Sequence, residues 1–540
     1  MWQAGWRDRV WSQLDKPWDL IVIGGGIVGA GILREASRAG LRVLLVEAGD
    51  FASGTSSKSS KLVHGGFRYL QYGQVRLTLE SVRERERLLR QGKGLITPMG
   101  FLLANYAADR LPAWVYGIGL IVYDLLAGKW GHRHYNASDL RELCPQLNPE
   151  GLLGGYRYID AKTDDARLVL RLILEAVAAG GVALNYAHAD SLLCTRAGRV
   201  CGVVLSDQGP GHDSRQAELQ AQVVINATGA WADKLVLQVG TPPRLRRLRG
   251  SHLFFPTERL PLTRSVSIRH PIDQRPVFAF PWEGVTLLGT TDVDHRGELT
   301  SDPAIDSSEV EYLMAAVHHA FPEQALTIGD VISTLAGLRA VIDTGKADPS
   351  KESREHVLSQ RRGLLTVTGG KLTTFRLMAH DALHAVRSRL ATRPSFSSRL
   401  PVLDPLEEDI LMPSDLEPTQ RLRLLGRYGE LSKDLIAAAS PGELEPIGST
   451  PALWAELRWC ARCEGVVHLD DLMLRRLRLG LTLPEGGLGH MDRIRGIVQL
   501  ELGWDDKRWQ QEVESYTRLW RKSYHLPGSA VPEGNRPAPA

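Results

Sequence analysis

The sequence predicts an α/β chain organised around a parallel sheet and closing in a helical C-terminal part, and three observations lead there. First, Leu20-Ile21-Val22-Ile23 runs into Gly24-Gly25-Gly26-Ile27-Val28-Gly29, a helical stretch to Arg38, and a second apolar run at 43–46 that ends in Glu47. Second, the apolar runs 223–226 and 366–368 each end in a turn of small residues, Ala227-Thr228-Gly229 and Gly369-Gly370. Third, the apolar spacing beyond residue 400 is helical and rich in arginine.

The first unit carries a physical reason at each position. Gly24 permits a tight turn, Gly26 lets a pyrophosphate approach the backbone, and Gly29 lets helix and strand pack closely. Amides at the helix N-terminus then face the phosphates. Gly40 ends the helix, and Glu47 stands where a ribose hydroxyl acceptor is needed. An acid there disfavours a 2′-phosphate. This predicts a Rossmann-type dinucleotide site.

Five hundred and forty residues suffice for two or three domains, and 43% hydrophobic with 24% charged residues describes a globular protein. A net charge of +3 makes no global case for nucleic acid. Five cysteines are too few and too odd in number for a disulfide framework, so a reducing compartment is expected. Cys460 and Cys463 form a lone C-x-x-C with no histidine pattern beside it, which reads as chance, and no metal site is expected. Residues 1–18 interleave Trp2, Trp6, Trp11 and Trp18 with Arg7, Arg9 and Lys16, fitting either an interfacial anchor or a segment packed on a neighbouring domain. No stretch has the ~18 to 20 uninterrupted apolar residues of a membrane span. The nearest is 111–127, broken by Asp124. Residues 527–540, rich in Pro, Gly and Ala, predict a disordered tail.

After Glu47, residues 53–70 are dense in hydroxyls and small side chains and end in His64-Gly65-Gly66-Phe67-Arg68-Tyr69-Leu70. Such a loop suits hydrogen bonding to an extended polar ligand. This stretch resembles the signature of FAD-dependent glycerol-3-phosphate dehydrogenases, within the glycine/D-amino-acid-oxidase-type flavoproteins. Further stretches are similar to that family in the right order. Residues 77–89 read as a solvated helix. Arg110 to Asp124 is similar to an apolar segment associated with membrane contact. Residues 160–168 lead acids into a helix, with Thr163 or Asp164 as cap. Gly250-Ser251-His252 follows the basic run 244–249, itself expected to be the solvated face of a strand. Residues 277–292 form a hairpin turning at Glu283-Gly284. Gly337-Leu338-Arg339 keeps the family's arginine while Ala340 replaces its proline, and 366–376 gives a strand, glycine turn and helix start. Residues 470–480 resemble the C-terminal helical domain.

The resemblance implies a Rossmann-type FAD-binding domain (18–75, 150–240, 335–395) interleaved with a mixed-sheet substrate domain (76–149, 241–334). An N-terminal extension (1–17) and a C-terminal α-helical domain (400–525) complete it. It implies oxidation of sn-glycerol 3-phosphate to dihydroxyacetone phosphate by hydride transfer to non-covalent FAD, with electrons passed to a membrane quinone. A protein lying peripherally on the inner face of the cell membrane follows, and a homodimer is left open. Arginine forks suit a phosphate dianion, so Arg68, Arg339 and Arg354 are the substrate ligands expected, with Tyr69 as a neutral donor. His252 and His64 compete as base, with His252 favoured as base or substrate donor and His64 as a flavin-proximal contact. Lys371 falls to the flavin or the charge developing on substrate oxygen. The cofactor residues implied are Gly24, Gly26, Ile27, Gly29, Glu47, Thr55, Ser56, Ser59, Lys61, Leu62, His64, Gly229, Gly370, Lys371, Leu372 and Thr373. The rival readings are an oxygen-using oxidase, an amino-acid oxidase and a non-catalytic flavoprotein subunit.

Overall fold

The computed structural model describes residues 2–70, 73–109, 111–211, 215–346, 352–406 and 416–528, with the Arg68 side chain outside that description. Arg110 and all of the expected tail beyond Gly528 also lie outside it.

Strand Trp18–Ile23 lies at the centre of the first sheet, parallel to Val43–Val46 on one side and to Gln216–Asn226 on the other. Val182–Leu184 extends the first side; Leu364–Thr368 and the antiparallel Val357–Arg361 extend the second. The run of fully buried Leu20, Ile21 and Val22 reflects coverage on both faces. Helices Ile27–Arg38, Asp165–Ala178 and Phe375–Val386 pack together on one face through Leu33, Leu172 and Leu383. Asp164 caps the second of these, its side chain accepting from Arg167 N–H.

The second sheet is mostly antiparallel. Leu245–Pro256 lies between Ser333–Ile342 and Val285–Gly289, and the sheet continues through Pro276–Trp282, Ser265–Arg269, Ile96–Tyr106 and Leu152–Thr163 to Leu62–Val63. Strands Leu152–Thr163 and Ser333–Ile342 thus pair in this sheet, although the sequence division put them with or beside the cofactor segments. Backbone pairing joins them to partners that no local pattern announces. The hairpin expected at 277–292 forms, and Glu283 and Gly284 both take positive φ (46° and 89°), as its tight two-residue turn requires.

The basic run is not a solvated face: Arg246 pairs with Asp294, Arg247 with Asp233 and Arg249 with Glu309. The N-terminal segment packs rather than projecting. Trp2, Trp11 and Trp18 are buried, Trp2 stacks on Phe51 at 5.1 Å between ring centroids, and Arg7 donates to the Asn185 and Tyr186 carbonyls. C-terminal helices including Trp454–Cys463, Met491–Leu502 and Asp506–Ser523 share a core with the second sheet, a core that holds Trp282 and Phe254 together with Trp459 and Trp520. Each such aromatic contributes about 1.5 to 3 kcal/mol by burial. Cys460 and Cys463 are free and buried in that part. Among the described residues no helix is long and apolar enough to cross a membrane.

Candidate active site

A cavity of about 860 Å³ runs along the carboxyl ends of the first sheet's parallel strands and reaches the edge of the second sheet. It opens where strand order reverses around Trp18–Ile23, the place where such sheets take ligands. Of the residues singled out from sequence, Gly24, Gly26, Ile27, Glu47, Thr55, Ser56, Gly229, Arg339, Arg354, Gly370, Lys371 and Leu372 line it.

One end fits a dinucleotide. Gly24 holds φ +113°, and a side chain there would begin 2.6 Å from the Ala227 carbonyl oxygen. A side chain at Gly26 would begin 3.0 Å from Ser56 Oγ, filling the wall. Helix Ile27–Arg38 turns its N-terminus to this end with no acid in its first turn, leaving its dipole to anions. Ser56 Oγ accepts from Ile27 N–H at 2.9 Å. Glu47 accepts from Gly25 N–H at 2.7 Å and Gly49 N–H at 2.9 Å. Burial raises its carboxyl, and those N–H groups oppose the rise.

The other end is cationic. Among the described residues Asp292 gathers three guanidiniums: Arg339 at 3.0 Å, Arg354 at 3.0 Å and Arg275 at 3.6 Å. Arg339 also donates to Thr290 Oγ1 at 2.9 Å. Lys371 Nζ donates to Ser81 Oγ at 2.9 Å and lies 3.8 Å over the Tyr69 ring. Burial, then Arg354, lowers the Lys371 ammonium to about 7, against the opposing pull of Asp160.

The remaining sequence candidates stand behind the lining. Gly29 packs the helix on the Gly24 carbonyl, which any side chain there would strike. Ser59 and Lys61 serve Asp165: Ser59 Oγ donates to it at 2.7 Å, and the buried Lys61 Nζ at 2.9 Å. Leu62 pairs with Lys162 in the second sheet. His64 and Thr373 are joined backbone to hydroxyl at 3.3 Å. His252 is fully buried opposite Gly289, where a side chain would strike its ring, and its Nε2 lies 3.0 Å from Ser60 Oγ. Burial, then Arg339 and Lys61, lowers its pKa well below the usual histidine range, so its ring is neutral at pH 7.

Sequence reading missed Trp231, which packs against Gly54, along with Tyr186, His188, Asp302 and Arg475 in the lining and Arg275 at Asp292. Trp231 follows the small-residue turn by two positions and was within reach of that motif. Arg475 had no local signal, because it arrives from the C-terminal part to meet Asp50 at 2.6 Å.

The family described as FAD dependent oxidoreductase matches residues 19–376, and the C-terminal domain of alpha-glycerophosphate oxidase matches residues 379–509. The chain is 33% identical over 531 residues to glycerol-3-phosphate dehydrogenase 2 of Mycobacterium tuberculosis, covering 94% of this chain and 89% of that protein. It is 37% identical over 391 residues to the aerobic glycerol-3-phosphate dehydrogenase of Bacillus subtilis, covering 71% and 69%. Among solved structures it is similar to the Bacillus halodurans glycerol-3-phosphate dehydrogenase complexed with FAD, with TM-score 0.76, 27% identity, and 97% and 98% coverage.

Proposed function

This chain belongs to the FAD-dependent oxidoreductase family, and from that premise we propose that it oxidises sn-glycerol 3-phosphate to dihydroxyacetone phosphate. The observation that carries the reading is the meeting of Arg339, Arg354 and Lys371 at one end of a cavity whose other end is a dinucleotide cradle. A phosphate dianion needs donors in a planar fork, and two arginines in one wall supply them. When bound, FAD supplies the hydride acceptor.

The chain's own residues then have four tasks. Gly24, Gly26 and the helix N-terminus accommodate the pyrophosphate, and Glu47 accepts from the adenosine ribose. Arg339, Arg354 and Arg68 orient the substrate phosphate, with Tyr69 as neutral donor. Lys371, as ammonium, opposes charge on the substrate oxygen as its C2–H bond breaks. His252, kept neutral behind the lining, is the acceptor for the hydroxyl proton by way of Ser60 Oγ, while His64 stands behind the lining with its ring 6.5 Å from that of Tyr69. FAD is held non-covalently in this reading.

A quinone is the electron acceptor in this reading, and the protein lies on the inner face of the cell membrane. Helix Ala113–Ala127 supports it: Trp114, Ile118, Ile121 and Leu125 are exposed along one side, with Trp114 at 64% and Leu125 at 69%. Contiguous exposed apolar surface of this kind marks a contact with lipid or protein. Tyr116 and Tyr123, inside the segment from Arg110 to Asp124 that resembles a membrane-contacting one, face inward instead, buried at 6% and 1%.

The test is dye reduction by glycerol 3-phosphate, run with a soluble quinone analogue and, separately, with oxygen alone. Turnover with glycerol 3-phosphate but not glycerol supports the substrate; peroxide formation at the quinone-linked rate would make the protein an oxidase.

A further inference from the structure

Two glycines in a row lie beside two different functional groups. Gly65 N–H donates to Asp160 Oδ1 at 3.2 Å, and a side chain on Gly66 would begin 3.4 Å from Lys371 Nζ. Helix Val75–Gln91 makes the same connection from the other side. Ser81 accepts from Lys371, and Arg85, one turn further along the same face, donates to Asp160 at 2.5 Å. Asp160 and Lys371 are therefore neighbours on one helix face and one glycine turn. Tyr123, on the inward side of helix Ala113–Ala127, adds a third donor to Asp160 at 2.8 Å.

We propose that Asp160 is a positioning residue for the reaction, its buried carboxylate anchoring the Gly65-Gly66 turn and serving as counter-charge to Lys371. The inference deepens the proposed oxidation and rests on it for Lys371's role. A carboxylate that only balanced Arg85 would need one partner; this one also holds the backbone against which Tyr69 and Lys371 pack. The groups facing Lys371 are Arg354, which disfavours its charge, and Asp160 and Glu80, which favour it, with the Tyr69 ring beneath. Those around Asp160 are Arg85, Tyr123 and Tyr158.

Removing the Asp160 charge makes the Lys371 ammonium harder to keep, so its titration moves to lower pH whichever form is active. Two readouts on the FAD-loaded enzyme follow this titration. One is the pH profile of kcat/KM for glycerol 3-phosphate. The other is the pH dependence of Lys371 acetylation by acetic anhydride, read by peptide mass spectrometry. In Asp160→Asn both should move down by about half a pH unit or more, the scale of one nearby charge. Asp160→Glu should restore most of that shift. Unmoved Lys371 labelling in Asp160→Asn overturns the proposal. If Asp160→Asn does not fold, Tyr123→Phe decides: it takes a donor from the carboxylate and leaves its charge, so labelling should move slightly up, and an unchanged or lowered titration overturns the proposal. A labelling shift in a protein that does not turn over glycerol 3-phosphate would keep the Asp160–Lys371 link and discard the functional reading.

Discussion

Arg339 donates to Asp292 and Thr290 through two different nitrogens, a fork that lysine cannot reproduce. Arg339→Ala should lower kcat/KM for glycerol 3-phosphate by about 10- to 100-fold, the loss of a charged hydrogen bond or two. Arg339→Lys should recover little of it; an Ala variant within about twofold of wild type would remove Arg339 from the phosphate site. Glu47→Ala should weaken FAD binding by about 1 to 3 kcal/mol, measured by flavin fluorescence on release. Lys371 also has a consequence for stability. Its folded pKa is about 7 against an ordinary 10.5, so between those values the unfolded chain holds a proton that the folded chain has lost. Stability therefore rises with pH across that window, and the cost of burying the charge is fully present below it. Lys371→Met should melt higher than wild type at about pH 6, with a gain that shrinks by about pH 9; an equal gain at both would contradict the depressed ammonium.

Helix Ala113–Ala127 has two faces with different tasks. Its inward face carries Tyr116, under the Arg269 guanidinium at 4.3 Å, and Tyr123, bonded to Asp160. Its outward face carries Trp114, Ile118, Ile121 and Leu125. In flotation with anionic liposomes, replacing Trp114, Ile118 and Leu125 by Ser should reduce binding several-fold while leaving dye-linked turnover near wild type. Wild-type protein remaining at the bottom of the gradient at low and moderate salt would end the membrane reading. The sequence displayed this helix's apolarity but not its sidedness, because every face of it is hydrophobic and only the neighbours determine which is covered.

Across the whole molecule, the C-terminal part is joined to the first sheet by buried charge. Asp50, directly after the Glu47 strand, takes Arg475 and Arg476 at 2.6 Å each, and Asp164 and Asp165 take Arg478. Burial alone would raise the Asp50 carboxyl; Arg476 and Arg475 overcome it and hold it low. Asp50→Asn takes the close counter-charge from the buried Arg476, while Arg475 keeps Asp470 and Asp471, and the break should cost about 3 to 5 kcal/mol. Its apparent Tm should fall, and limited proteolysis should release C-terminal fragments that wild type protects. Unchanged melting and protease resistance would mean that the Asp50 pairs do not hold the two parts together.

The dinucleotide unit was legible from residues 19–47 alone, since its strand, glycines, helix and acid obey local rules: steric freedom at Gly24, periodic apolarity, and an acid at the strand end. Arg339 and Lys371 were picked out by family resemblance, each inside a short motif, and both line the cavity. What tertiary structure alone decided is which distant groups meet. Strand Leu152–Thr163 joins the second sheet through pairing with Ile96–Tyr106, and His252 withdraws behind Ser60 because Gly289 leaves room for its ring. Arg475 lines a cavity begun at Gly24, and Asp160 reaches Gly65 across 95 residues of chain. Local sequence encodes the period and chemistry of each element. Burial and charge pairing act between elements without regard to chain separation, so they are determined only when the whole chain has packed.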